Sequence, residues 1–396
     1  MKALFFLGLT ILFNTSLQAQ SVKDSITYEL QKVNEQSSLN GFGVAIYSKD
    51  AVLYEKGFGY SDSESKISYK VNTVQKIASI SKTLLGVALM KARSMGLLEL
   101  EDDINDYLSF PLRNPYFPTS KITIEHLATH TSGINTSKHD MDALFFPTPI
   151  APVFKEMPFG IKRILYKRLI KSLNNNQEMS MTDFLNEIYN PSGKWYKKRN
   201  FEKTEPGSNR IYSNNGAAFL ALVIEKASGM KYYDFIKKHI LDPLKMADTR
   251  FDFEPVRSKT NEQASLYHAG LKVPNDYRLI TYPAGGLLSS VSDFSKYMSA
   301  MVKGYKEGNS ILSHEDYQMM MGKQIDPDFN QGILWQVYNE SIGHEGDIAG
   351  VTTYTYFNKR TGIGYVLFCN TAATEGIDNT TQKIIIVLES YSEKLN

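Results

Sequence analysis

Ser79 and Lys82 stand three residues apart in the run Ile77-Ala78-Ser79-Ile80-Ser81-Lys82-Thr83-Leu84-Leu85-Gly86. On a helix that spacing puts both side chains on one face, with the hydroxyl within reach of the amine. A serine attacks a carbonyl only when a base takes its proton. Lysine can be that base once burial lowers its pKa from about 10.4 by several units, and the small and apolar neighbours here offer such burial. Nucleophilic acyl transfer is the chemistry this pair could perform; a plain helix N-cap serine is the competing reading of Ser79. Ser-x-x-Lys recurs at Ser63-Glu64-Ser65-Lys66 and Ser228-Gly229-Met230-Lys231. Ser63 lies in a charged turn and Ser228 at a helix end, so only Ser79 opens an apolar helix.

Acyl transfer also needs a proton for the leaving group and donors for the oxyanion. Tyr212-Ser213-Asn214 follows the turn-forming Glu205-Pro206-Gly207-Ser208-Asn209 and precedes a helix, which puts a phenol and an amide at an element boundary. A ring capping the core is the simpler role for Tyr212. Gly343-His344-Glu345-Gly346-Asp347 stands just before a C-terminal hairpin, and its glycines let another backbone approach an edge strand closely. His126 and His130, at i and i+4 in HLATH, could present two ligands on one helix face. The zincin glutamate and a third ligand are missing, so no metal is expected. Cys369, the single cysteine, ends the apolar run Gly364-Tyr365-Val366-Leu367-Phe368-Cys369 and reads as a small buried hydrophobe.

The elements that must position these residues read as an α/β (α+β) fold. Residues 41–60 and 351–370 each read as two strands around a polar turn, and residues 378–395 show helical spacing. Hairpins at opposite ends of the chain suggest one antiparallel sheet built from both termini, with flanking helices. Residues 21–82 and 285–396 then form an α/β lobe, and residues 83–284 a large, mostly helical inserted lobe. Helices are predicted at Lys82–Ser94, Thr123–Thr129, Met181–Tyr189, Asn215–Ser228 and Tyr232–Ile240. Between Phe159 and Leu173 lies a basic amphipathic helix with Ile161, Ile164, Leu165, Leu169 and Leu173 near one face. It reads as a solvated helix docked on the body, with a lid or a weak membrane-surface contact through 159–173 as the alternative.

A net charge of +2 in 396 residues gives no basis for a nucleic-acid partner. Residues 1–20, MKALFFLGLTILFNTSLQAQ, have the layout of a secretory signal: a lysine at position 2, an apolar core and small residues near Ala19. A mature periplasmic or secreted chain starting near Gln20 or Ser21 is expected.

Taken in order, these pieces resemble the serine β-lactamase and penicillin-binding-protein-like hydrolases, in the branch of class C β-lactamases, D,D-carboxypeptidases, D-aminopeptidases and esterases. IASISKTLLGVAL is similar to the nucleophile helix, ITIEHLATHTSGI to the His-Thr-Ser-Gly block and EPGSNRIYSNNGAAFLALVIEKASG to the Tyr-x-Asn block. YPAGGLLSSVSDFSKYM is similar to the double-glycine block, and GHEGDIAG to the third motif, which is Lys-Thr-Gly or His-x-Gly among members. The resemblance spans about 40–370. It implies Ser79 as acylated nucleophile, Lys82 as its proton acceptor, Tyr212 as proton shuttle and Asn214 as the residue orienting lysine and substrate amide. It also implies an oxyanion hole from the backbone N–H groups of Ser79 and Asp347, the residue after Gly346, and no metal or organic cofactor. His344 and Glu345 replace the lysine and hydroxyl that hold a penicillin carboxylate, so weak β-lactamase activity is expected. A small ester or amide substrate, including D-amino acid peptides, is favoured. The alternatives are a β-lactamase or D,D-carboxypeptidase acting on peptidoglycan-type substrates, and a non-catalytic binding relative.

Overall fold

The computed structural model describes residues 20–135, 141–150, 161–251, 253, 263–268, 270–324 and 326–395. The expected export signal, apart from Gln20, lies outside these residues, as does the start of the 159–173 stretch. Helix α1 spans 20–35, and the hairpin β1 (Gly41–Tyr47) and β2 (Val52–Asp62) follows with short β3 (Ile67–Ser68). Strand β4 (Gln75–Lys76) leads through a single 3-10 turn, Ala78–Ile80, into α2 (Ser81–Ser94). The middle of the chain carries α3 (Ile124–Ala128), β5 (Leu144–Phe145), α4 (Ile161–Asn174), α5 (Met181–Tyr189), α6 (Asn214–Ser228) and α7 (Tyr232–Ile236). Short strands β6 (Arg250–Phe251), β7 (Leu266–His268), β8 (Leu271–Val273), β9 (Arg278–Leu279) and β10 (Leu287–Ser289) return it to the sheet. Helices α8 (Val291–Glu307) and α9 (His314–Met320) precede β11 (Gln336–Val337), β12 (Ser341–Ile348), β13 (Val351–Asn358), β14 (Gly364–Cys369) and α10 (Glu375–Ser392).

The main sheet has seven strands in the order β11-β12-β13-β14-β1-β2-β3, and the pairings around β1 are antiparallel. The two terminal hairpins therefore meet at β1 and β14, as the alternating β-branched and aromatic residues of both ends require. Strand β1 is buried on both faces because a layer covers each. Phe42, Val44 and Ile46 pack with Ile26 and Leu30 of α1 and Ile384 and Leu388 of α10. Ala45 and Tyr47 point the other way, into the larger core that contains Phe294, Tyr297 and Met298 of α8. Each large apolar side chain so buried contributes roughly 1.5–3 kcal/mol.

Helix α2 is buried nearly all round, which marks it as a core helix rather than a surface one. It packs against α6, α7 and α9. Its first turn therefore ends where the helical part meets the sheet. Helix α6 is started by Ser213, whose hydroxyl accepts from the Gly216 N–H at 2.9 Å, and stopped by Gly229 in the left-handed region. The cap fixes the direction in which the chain enters α6, and with it the residue just before, Tyr212.

Helix α4 exists, but the face expected for it is wrong in part. Ile170 and Leu173 are the buried pair, with Leu173 packing against Leu144 and Phe146. Ile164 and Leu169 are 49% and 42% exposed. The helix meets β5 through Leu173, while Ile164 and Leu169 face outward. The helical middle also holds short strands that periodicity did not indicate: β6, which joins the three-stranded sheet β4-β10-β6, and the pairs β5-β9 and β7-β8. Among the described residues no helix is long and apolar enough to cross a membrane.

Ser213→Ala removes the α6 cap from a fully buried position. A loss of about 1–2 kcal/mol is expected, seen as a lower urea midpoint with an unchanged slope.

Candidate active site

The chain leaves β4 through Ile77 and turns sharply at Ala78, whose φ of 50° lies in the left-handed region. A residue with a Cβ pays roughly 1–2 kcal/mol for that conformation, so neighbours must hold it. Ser81 Oγ donates to Ala78 O at 2.6 Å, and Thr353 Oγ1 of β13 donates to Ile77 O at 2.9 Å. The result is a 3-10 turn carrying Ser79, half-buried, just ahead of α2. Strand β12 lies directly against it. A Cβ added to Gly346 would sit 2.8 Å from Ser79 N, 2.9 Å from Ile77 O and 2.6 Å from Thr353 Oγ1, so no other residue fits there.

Lys82 lies in the first turn of α2 and is 0% exposed. Its Nζ donates to Ser79 Oγ at 3.1 Å and to Ala284 O at 2.5 Å. Ala284 ends the 3-10 turn Tyr282–Ala284 that precedes the double glycine 285–286, so that block delivers a carbonyl to the amine. The Tyr212 ring centroid is 4.8 Å from Nζ, with its π face available to the cation. The N-cap position of α2 is Ile80, with no side-chain cap. Ser79 therefore does not cap the helix; its hydroxyl accepts from the lysine.

Two imidazoles flank Tyr212, with ring centroids 4.6 Å away for His130 and 6.3 Å away for His344. His344 is buried, and its Nδ1 lies 2.5 Å from Glu345 O, an acceptor, so Nδ1 carries the proton. Burial first, then the charges of Lys82 and Arg210, push the His344 pKa down to about 3. His130 is held well below its ordinary value by the same burial and by Lys82, Arg210 and His344. Its Nδ1 accepts from the Ser213 N–H at 3.3 Å. His126 and His130 do not share a helix face, because α3 ends at Ala128 and His130 turns out of it at φ 59°. His126 instead closes a capping box, its Nδ1 accepting from the Thr123 N–H at 3.2 Å.

Ser79, Tyr212, His344, Gly346 and Asp347 line one cleft of about 680 Å³, with Lys82 beneath it. Strand β11 pairs only with Ile342 and Gly343, so the edge of β12 beyond them borders the cleft. Glu345 and Asp347 stand at its rim. The Asp347 carboxyl is raised by desolvation and partly offset by the Ala373 N–H, which turns it toward the chain entering α10. Asn214 is the first residue of α6, half-buried, and is not part of the cleft lining. Arg210, in the cleft wall, escaped the reading of the sequence. Its signal was available: a lone basic residue two positions before Tyr212. A hydroxyl on a buried amine, at the start of a helix and under a strand edge, has the arrangement of a nucleophile and its base.

That pairing on this fold defines a class, the serine β-lactamase and penicillin-binding-protein-like hydrolases. The chain belongs to it: the family model described as Beta-lactamase matches residues 29–387. The human serine beta-lactamase-like protein LACTB, mitochondrial, is 27% identical over 324 residues, covering 72% of this chain and 58% of that protein. The chain thus spans less than two-thirds of that relative. The octameric penicillin-binding protein homologue from Pyrococcus abyssi superposes with a TM-score of 0.69 at 25% identity, covering 93% of this chain and 77% of that one. The D-amino acid amidase from Ochrobactrum anthropi SV3 has a TM-score of 0.64 at 17% identity, covering 92% of this chain and 99% of that one, and shares the fold.

Gly346→Ala forces β12 away from Ser79. Labelling of Ser79 by a fluorophosphonate is expected to slow by about a hundredfold or more, with the circular dichroism spectrum retained. A second outcome concerns pH. An unfolded histidine titrates near 6.5, so between pH 6.5 and about 3 the unfolded chain binds the extra proton at His344 and the folded one does not. Stability must fall as pH drops through that window. His344→Gln removes its share of the slope, measured as urea midpoints at pH 7 and pH 4.5; an unchanged slope would contradict the burial argument.

Proposed function

We propose that the protein hydrolyses a small ester or amide through an acyl-enzyme on Ser79. The observation that carries this reading is the 3.1 Å contact between the hydroxyl of Ser79 and the amine of a wholly buried lysine. Burial disfavours a charged amine, and that is the condition under which lysine takes a proton from serine.

Ser79 Oγ attacks the substrate carbonyl while Lys82 takes its proton, and negative charge builds on the carbonyl oxygen. The backbone N–H groups of Ser79 and Asp347 stabilise that oxyanion. Tyr212, its ring beside Lys82, passes the proton to the departing alcohol or amine, and the acyl–O or acyl–N bond breaks. Water then attacks the acyl-enzyme, giving its proton back along the same path and its hydroxyl to the acid product. Asn214 orients the lysine and the substrate amide from the start of α6. No metal or organic cofactor enters. Residues 1–20 support action after export.

The rim carboxylates Glu345 and Asp347 favour substrates with an amine on the acyl side. That supports a second reading as an amidase or peptidase for D-amino acid derivatives, in line with the amidase fold neighbour. β-Lactams are disfavoured because His344 and Glu345 occupy the positions of the penicillin-holding lysine and hydroxyl.

A fluorophosphonate probe should label the wild type and not Ser79→Ala. Among p-nitrophenyl esters, D-amino acid amides, D-Ala-D-Ala peptides and a cephalosporin, turnover should be greatest for an ester or D-amino acid amide. Ser79→Ala and Lys82→Ala should each lower kcat by about a thousandfold or more. An unlabelled wild type would favour a non-catalytic binder, and cephalosporin hydrolysis outrunning the other substrates would overturn the substrate assignment.

A further inference from the structure

We propose that His130 is a positioning residue for the proton-transfer step: it holds the Tyr212 ring beside Lys82, where the phenol serves the leaving group. The proposal rests on the hydrolase reading above and adds to it a residue behind the cleft wall.

Tyr212 lies on the segment just ahead of α6, and a side chain there keeps one geometry only where packing and hydrogen bonds lock it. His130 supplies both. Its carbonyl accepts from the Ile211 N–H at 2.7 Å, and its Nδ1 accepts from the Ser213 N–H at 3.3 Å. The residues on either side of Tyr212 are thus tied to the same histidine. Between the two ties the imidazole packs against the Tyr212 ring itself, with centroids 4.6 Å apart and planes at 45°, within the range of favourable aromatic pairs. Lys82 Nζ lies 4.8 Å from the centre of that ring.

His130 reaches this place at a cost. Its φ of 59° lies in the left-handed region, which persists in a residue with a Cβ only where the surroundings hold it. The His130 N–H donates to Leu127 O at 3.2 Å and the Thr131 N–H to His126 O at 2.8 Å, which fixes the turn out of α3. Because Nδ1 accepts, Nε2 carries the ring proton, and among the described residues that buried Nε2 has no hydrogen-bond partner. No proton relay through neighbouring side chains therefore runs by way of the imidazole. The residue is also wholly buried and absent from the cleft lining, so it does not bind substrate. An apolar residue of similar size would fill the space without an orphaned N–H, which costs about 1–3 kcal/mol. What only the histidine provides is the acceptor for Ser213 together with a flat ring against Tyr212.

The test compares kcat/KM for p-nitrophenyl acetate and ethyl acetate. p-Nitrophenoxide departs without a proton, whereas ethoxide needs the one that Tyr212 delivers. His130→Ala should lower kcat/KM for the ethyl ester about tenfold more than for the p-nitrophenyl ester. His130→Asn, whose Oδ1 can accept from the Ser213 N–H and which tolerates the left-handed region, should recover part of that loss. In a Tyr212→Phe background His130→Ala should cost little further, because the phenol through which it acts is gone. Equal losses on the two esters in a cooperatively melting His130→Ala protein overturn the proposal; should that variant not melt cooperatively, His130→Gly, free of the backbone strain, takes its place. Independently of turnover, amide hydrogen exchange at Ser213 should be about tenfold or more faster in His130→Ala and near the wild-type rate in His130→Asn. The Ile211 amide, bonded to the backbone carbonyl, should stay protected in both. Unchanged exchange at Ser213 in His130→Ala overturns the proposal. If wild type cleaves neither ester while the exchange results hold, the failure belongs to the hydrolase reading, and His130 stands as the anchor of the Tyr212 segment.

Discussion

The structure depends on keeping one amine out of water and against one hydroxyl. Lys82 is on the first turn of α2, where the partial positive charge of a helix N-terminus works against a cation and in favour of a developing anion. Burial acts in the same sense. Two forces that would make this a poor site for an ordinary lysine thus make it a good site for a base, and they favour negative charge on the neighbouring serine. The cost is met by the apolar bulk of α2, whose buried face runs from Ser81 to Met90 without a break.

The hydroxyl is held by geometry stored in the backbone. Ala78 stays in an unfavourable conformation because Ser81 grips its carbonyl from the helix and Thr353 grips that of Ile77 from the sheet. The first bond is local; the second joins elements distant in sequence. That explains why the sheet is assembled from both ends of the chain: β12 and β13, from the C-terminal part, must lie over a turn that belongs to the N-terminal part. Gly346 permits the close approach, and short β11 leaves the strand edge beyond it open to a substrate.

What the sequence disclosed follows from which interactions are local. The two hairpins, α2, α5 and α6 were legible because strand alternation, helical spacing and the Gly229 stop act within a few residues. Ser79 and Lys82 were legible as a pair for the same reason, and Tyr212 stood out by its place before a capped helix. The left-handed turn at Ala78 was not legible, since alanine carries no mark of it and the forces that hold it come from Thr353, far along the chain. The two histidines of HLATH part because α3 ends at Ala128, within a residue of the expected end, and His130 beyond it turns to meet Ser213. The stripe on α4 misled in part because amphipathicity fixes a face only where a partner surface follows it: Leu173 packs on Leu144 of β5, while Ile164 and Leu169 stay exposed. Arg210 was missed because its meaning depends on Gln331, which the fold brings from the other side of the cleft.

His344 and Arg210 account for each other. In many relatives the third motif places a lysine where this chain has His344, on a buried wall beside the catalytic lysine. Here Arg210 already contributes a charge close enough to help depress His344. Unit charges a few ångströms apart repel by several kcal/mol in a partly desolvated setting, roughly 4 kcal/mol at 4 Å for an effective dielectric of 20. A lysine at position 344 would put a further cation on a buried wall that Lys82 and Arg210 already make unfavourable for positive charge. An imidazole that stays neutral avoids that repulsion while still filling the wall against Tyr212.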